Sequence, residues 1–310
     1  MSEQRKTSIG GQALIEGVMM RGPMCSAMAV RRPDGTIYLE ANEEKHAVRP
    51  WYKRVPVIRG SFNFIDSLVV GYRYLMKSAD IAGFEDDEAE LTGFDKKIND
   101  WFGDKSGDVI TMLAMVLALA MAVGLFMLLP TFISGLIRPY VASQVVMAIV
   151  ESALKMVIFI IYIVLVSRTR DIQRVFEYHG AEHKTIACYE HGQPLTPENA
   201  AAHTRFHPRC GTSFILIVMV VSVLIFSLVS WDNIWMRLGL KILSLPLVVG
   251  ISYEIIRMAG RYDNPVTRAI SAPGMWLQRL TTREPDLSQL EVAIAAMEPC
   301  IPENKALDEF

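Results

Sequence analysis

Four apolar stretches, at residues 109–129, 144–166, 212–229 and 234–256, constrain this chain more than any other feature. The first is uncharged. At about 1.5 Å of rise per residue, a helix of that length covers a hydrocarbon core of roughly 30 Å. Backbone polar groups in lipid must be satisfied within their own segment, which makes helices the natural way across. The expected fold class is therefore a mainly α membrane protein, with about four transmembrane helices and a small N-terminal α+β cytoplasmic region. A hydrophobic content of 51% and a mean hydropathy of +0.27 agree with this. The formal net charge of -2 argues against general nucleic-acid binding. Cys25, Cys188, Cys210 and Cys300 form no disulfide-like framework, which points to a reducing compartment. Residues 1–20 lack a charged start followed by an apolar core, so no cleaved signal peptide is expected.

The chain divides around the apolar stretches. Residues 1–55 read as a β-hairpin and glycine-motif region: Pro33-Asp34-Gly35 is a turn signal between two strand-like runs. The glycines of the segment 9–23 suit tight turns or close backbone approach, and no Gly-Lys-Ser/Thr ending marks it as a phosphate loop. Residues 56–107 form an amphipathic helix and an acidic linker. Val57, Ile58, Phe62, Ile65, Leu68, Val69, Tyr72, Leu75 and Met76 recur at helical steps. This periodicity suits packing on the hairpin better than lying on the membrane. The region 108–257 holds the spans and a polar His/Cys loop at 167–211, and 258–310 is expected as a tail ending in a surface helix and frayed terminus.

Charges set the orientation. Arg168, Arg170, Arg174, Lys184, Arg205 and Arg209 crowd the 167–211 loop, whereas the first connection has only Arg138. The bias places both termini and the His/Cys loop in the cytoplasm, with Arg237 and Lys241 snorkelling at the start of the fourth span. Glu151 and Lys155, four residues apart within the second span, form either a self-neutralising pair or a functional group at membrane depth.

The chemistry concentrates in Tyr178-His179-Gly180-Ala181-Glu182-His183-Lys184 and in His207-Pro208-Arg209-Cys210-Gly211-Thr212. His179 and His183 share one helix face, and Glu182 makes the H-x-x-E-H order of inverted zincins. Zinc favours four nitrogen and sulfur donors. One set is His179, His183, His207 and Cys210; a finger-like alternative is Cys188, His191, His207 and Cys210. In a catalytic version the two histidines of the helix bind the metal, Glu182 is the general base, and Glu254 near the end of the fourth span is a candidate third ligand.

These motifs, together with Gly11-Gln12-Ala13-Leu14-Ile15-Glu16-Gly17-Val18-Met19-Met20-Arg21-Gly22-Pro23, resemble the YqhQ-like bacterial membrane family, a domain of unknown function (number 1385). The resemblance covers about residues 8–285. It implies a multi-pass protein of the bacterial inner membrane and a metal-dependent enzyme. It supports His179, Glu182, His183, His207 and Cys210, disfavours the finger-like set, and adds Glu16 and Arg21 as secondary candidates.

The resulting expectation is a zinc-dependent hydrolase at the cytoplasmic membrane interface, acting on a peptide or lipid-like substrate. The alternative is a non-catalytic assembly, insertion or scaffold factor whose structural metal site docks other membrane proteins or the translocation machinery. The lipid bilayer is the expected common partner. A transporter would draw on Glu151, Lys155 and Glu254, but the spans show no internal repeat.

Overall fold

The computed structural model describes residues 6–43, 51–83, 106–141, 143–228, 234–262, 264–304 and 308. Nearly all of the expected acidic linker, and the Trp231-Asp232-Asn233 turn, lie outside the described residues.

The N-terminal region is a four-stranded antiparallel meander in the order β1 (Gly10–Leu14), β2 (Gly17–Arg21), β3 (Cys25–Arg31) and β4 (Ile37–Glu43). The glycine motif thus becomes the first hairpin. Its two-residue turn has Glu16 at φ 48, and Gly17 is required because a Cβ there would overlap the Ala29 carbonyl on β3. The Pro33-Asp34-Gly35 turn joins β3 to β4: Gly35 adopts φ 84, and Asp34 accepts hydrogen bonds from the Thr36 N–H and hydroxyl.

Strand alternation sends side chains to two cores. Val18, Met20, Ala27 and Ala29 join one cluster with Tyr178, Ala181 and Ile186 of α5 (Arg170–Glu190) and with Leu290, Ala293 and Met297 of α10 (Leu287–Met297). Leu14, Met19, Met28 and Val30 face Tyr74, Leu75 and Ile81 of α1 (Ile58–Ile81). The tail helix expected on the surface is therefore central: Leu290, Val292, Ala293, Ala296 and Met297 are fully buried. An Asp286–Gln289 capping box starts it.

The apolar part consists of α2 (Ser106–Val123), a π-helical turn at Gly124–Leu128, α3 (Leu129–Ile137), α4 (Gln144–Val166), α7 (Gly211–Leu228) and α8 (Ile234–Arg261). Among the described residues, three helices are long and apolar enough to cross a membrane, at Met112–Tyr140, Ile149–Val166 and Gly239–Arg261. The third expected span corresponds to a shorter apolar helix, Gly211–Phe226. The short α6 (Pro197–Ala201) and the amphipathic α9 (Pro265–Thr281) complete the chain.

Two charge assignments need correction. Lys241 does not snorkel: it is buried, and its Nζ donates to Glu151 Oε1 at 2.6 Å. Lys155 lies 3.1 Å from the same oxygen, so Glu151 joins α4 to α8 as well as closing the local pair. Glu254 does not reach the histidine cluster: it receives Arg59 Nε and Nη2 of α1 at 2.7 and 2.5 Å.

Candidate metal centre

α5 carries the whole of the 178–184 motif, and each side chain has a separate task. His179 Nδ1 lies 2.8 Å from the Thr281 carbonyl oxygen and His183 Nδ1 lies 2.6 Å from that of Arg205. A carbonyl oxygen only accepts, so each Nδ1 carries a proton, and in the neutral ring Nε2 is then the nitrogen that can ligate a metal. His179 Nε2 lies 3.2 Å from Cys210 Sγ. His183 Nε2 is buried and, among the described residues, has no hydrogen-bond partner. These three donor atoms lie within 4.8 Å of one another. Tetrahedral zinc sets its N and S ligands about 3.5 Å apart, from bonds of roughly 2.0 and 2.3 Å. The donor set, the orphaned Nε2 and the carbonyl-backed tautomers all fit a zinc-class ion.

Backbone packing creates this geometry. Gly180 lies where the segment after α9 crosses α5: a Cβ there would overlap the Arg283 carbonyl oxygen. The crossing segment is tied down by the Arg283 N–H donating to the Phe176 carbonyl at 2.9 Å, which places the Thr281 carbonyl over His179. Lys184, also buried, donates to the carbonyls of Ala201 and His203 and pairs with Glu284, holding the 201–205 turn that presents the Arg205 carbonyl. Gln278 clamps the Cys210 loop through both backbone polar groups of His207, at 2.8 and 2.7 Å.

Cys210 immediately precedes the N-terminus of α7, and the Thr212 N–H and hydroxyl lie 3.4 and 3.2 Å from its sulfur. Burial opposes the thiolate, but His179 and His183 outweigh it and hold the thiol well below its ordinary pKa. Reciprocally, burial lowers the His179 pKa and the adjacent Cys210 charge carries it up to about 9. Burial pushes the Glu182 carboxyl above its usual range, against the pull of His183 and His179. Glu182 packs its side chain against Gly11 of β1, where a Cβ would lie 2.8 Å from Glu182 Cγ. A cleft of about 380 Å³ opens beside these groups, lined by residues 7–13 and by His179, Glu182, His183, His207 and Cys210.

Other sequence candidates take different positions. His207 stacks near His183, with ring centroids 5.5 Å apart, but its Nε2 lies 3.8 Å from Glu190 Oε2 and 3.4 Å from Arg209 Nη2. Burial lowers its pKa, partly offset by Glu190. Cys188 lies 3.6 Å from the Pro194 carbonyl, and His191 bonds to its own helix, so the finger-like set is not gathered. Glu16 binds Arg174 through both carboxylate oxygens and accepts the Tyr178 hydroxyl, locking the first hairpin to α5. Arg21 ends β2. Sequence reasoning missed Gln278, Thr281 and Arg205. Two of these act through carbonyl oxygens, which leave no residue-type signal.

The described residues make a mostly helical protein with an N-terminal antiparallel sheet, three apolar helices of spanning length, and a largely buried His/His/Cys cluster formed by α5 and the segment leading into α7. The family model for a protein of unknown function (DUF1385) matches residues 55–303, and the chain belongs to that family. It is 36% identical over 291 residues to the uncharacterized protein YqhQ of Bacillus subtilis (strain 168), covering 92% of this chain and 89% of the relative. No solved structure matches.

Proposed function

We propose that this protein is a zinc-dependent hydrolase of the bacterial inner membrane, held there by multiple spans, with its centre and both termini on the cytoplasmic side. The observation that carries the reading is the convergence of two carbonyl-backed imidazoles and a thiolate on a cleft, with the His183 Nε2 left without a partner. His179, His183 and Cys210 would hold the ion. A zinc ion in such a three-ligand setting supplies a Lewis acid that polarises a carbonyl and acidifies water near neutral pH. Glu182 is the proton-transfer group, taking a proton at its carboxylate and returning it to the leaving group. Gly10, whose Cβ position has nothing within 4 Å, leaves the cleft open on that side for a substrate, while Gly11 is packed against Glu182.

Two facts favour catalysis over a structural staple. His207 turns its Nε2 toward Glu190 and Arg209, so three described side chains, His179, His183 and Cys210, would hold the ion, one fewer than a closed structural site has. Glu182 lines the cleft beside His179 and His183. Metal analysis of the purified protein tests the reading: about one zinc per chain is expected in the wild type and none in His183→Ala. Absence of metal from both overturns it. Glu182→Gln should keep zinc and fold while losing hydrolysis of amide and ester substrates; unchanged function there would favour the assembly-factor alternative.

A further inference from the structure

α1 is built inside out for a helix of a soluble core. Its buried positions are the small residues Gly60, Gly71 and Ser78. Ile58, Phe62, Ile65, Leu68, Val69, Tyr72 and Met76 are exposed, with Ile65 and Leu68 more than half so, at 55% and 56%. At about 100° per residue the small set and most of the large set lie on opposite sides of the helix. The amphipathic periodicity is real, but its apolar stripe faces away from the sheet for most of its length. This reverses the expectation that the stripe packs on the hairpin.

The small face is used for close docking. A Cβ on Gly60 would lie 2.7 Å from Tyr253 Cβ and 3.0 Å from Gly250 Cα of α8. Asn63 donates to the Tyr253 hydroxyl at 3.0 Å, Ser61 donates to the Pro246 carbonyl at 2.6 Å, and Arg59 pairs with Glu254. The helix is thereby fixed to one of the three spanning-length helices, whose own Leu243, Leu245, Leu247 and Met258 are exposed. The two exposed apolar surfaces belong to one docked pair. From Ile58 to Tyr72 the one charged side chain with substantial exposure is Asp66, 45% exposed and ion-paired to Lys53 at the Trp51 end, while Arg59 is paired with Glu254. Arg73, Lys77 and Asp80 are the exposed charges beyond the apolar face. At the start of the segment Trp51 is 70% exposed and Tyr52 stacks on Phe62 at 4.5 Å. Aromatics at one boundary and cations at the other are the flanks of an interfacial helix.

We infer that the outer face of α1 is immersed in the acyl chains of the cytoplasmic leaflet, with Arg73 and Lys77 at headgroup level. This inference rests on the reading of α8 as a membrane span. It also gives the cleft a mechanical tie to the bilayer. Gly71 abuts Gln12, and the Ser78 hydroxyl accepts the Ile15 N–H, so α1 holds β1, one wall of the cleft.

The test uses the full chain in vesicles of phosphatidylethanolamine and phosphatidylglycerol. An environment-sensitive fluorophore is attached to single introduced cysteines, Ile65→Cys, Leu68→Cys, Lys77→Cys, and Leu247→Cys as the α8 control; the parent chain is labelled in parallel so that any signal from the native cysteines, Cys210 above all, is subtracted. Fluorophores at 65, 68 and 247 should be quenched several-fold more strongly by nitroxide-labelled acyl chains than by iodide, and position 77 the reverse. If 247 behaves this way while 65 and 68 are quenched by iodide, the inference about α1 is wrong and the span reading stands. Protection of 65 and 68 from both quenchers also overturns it, in favour of a second copy or another protein covering the face. Iodide quenching at 247 removes the span reading and this inference together.

Discussion

Gly180→Ala is the sharpest perturbation of the centre, because it adds one methyl group and touches no ligand. The new Cβ would overlap the Arg283 carbonyl oxygen and sit 3.3 Å from Pro285 Cδ. Ordinary carbon contacts need about 3.5–4.0 Å, so the crossing segment must lift by on the order of 1 Å. Lifting it weakens the 2.9 Å Arg283–Phe176 backbone bond and draws the Thr281 carbonyl off His179 Nδ1, now 2.8 Å away. Overpacking costs about 1–3 kcal/mol, and the lost backbone bond adds about 1 kcal/mol. Loss of the carbonyl that orients a metal-binding imidazole costs roughly 10- to 100-fold in metal affinity. Zinc affinity from chelator competition should fall by that factor, and the unfolding temperature should drop. Gly10→Ala is the control: it lies in the same cleft, but its Cβ would meet nothing within 4 Å, so zinc affinity should be unchanged. Wild-type zinc affinity in a folded Gly180→Ala protein would refute the account of how the crossing segment aims His179.

Four further outcomes follow from the same geometry. Cys210 should react with iodoacetamide in chelator-treated protein and be protected by added zinc, read by mass spectrometry; equal labelling in both states removes Cys210 from the ligand set. His207→Ala should retain zinc with little change in affinity, whereas Cys210→Ala should lose it, because His207 Nε2 faces Glu190 and Arg209; metal loss in both would restore the four-ligand site. Glu151→Gln leaves Lys155 and Lys241 facing each other in a buried site, a loss of about 3–5 kcal/mol, while Lys241→Met leaves a balanced Glu151–Lys155 pair and should cost much less; thermal unfolding in detergent that ranked them the other way would contradict the shared-oxygen arrangement. Burial raises the Glu190 pKa, but the His207 and Arg209 contacts outweigh it and hold the carboxyl below the usual range for a glutamate. Its stabilisation is therefore present above that range and lost as pH falls through the folded value. Glu190→Gln should be less stable than wild type near pH 7, and the gap should close in acid; a gap independent of pH would assign Glu190 no electrostatic role.

The sequence carried those parts of the structure that depend on local pattern. Pro33-Asp34-Gly35 announced the β3–β4 turn because its residue types match the required dihedrals. Hydropathy marked the apolar helices because lipid tolerates little else in such runs. The four-residue spacing of His179 and His183 placed both rings on one face. What stayed hidden depends on contacts between distant segments. Arg59 and Glu254 are 195 residues apart, so Glu254 looked like a carboxylate in search of a metal. Lys155 was enough to explain Glu151 locally, and Lys241, 90 residues away, left no sign of joining them. The α1 periodicity specified an amphipathic helix but not which side meets the protein; the buried glycines show that it is the small-residue face. The tail helix was missed for a related reason, since an alanine-rich helix reads as weakly apolar until the tight packing that alanine allows is seen.

The density of the 178–184 motif has a physical cause beyond metal binding. A helix that only presents two ligands needs them at one spacing and leaves its other faces free to vary. The 178–184 stretch of α5 is packed on several sides at once. Tyr178 and Glu182 meet the first hairpin through Glu16 and Gly11, and His179 and His183 meet the Cys210 and Arg205 segments. Gly180 admits the chain leaving α9, and Lys184 fastens the turn after α6. Three segments far apart in sequence, at residues 11–16, 201–210 and 281–283, thus close on one helical stretch, and each touches a side chain or glycine of the motif. Such an arrangement fixes the imidazole tautomers before any ion arrives. The rigid part of the centre is therefore the protein scaffold around the donors, and the cleft beside Glu182 is the side left open to a substrate.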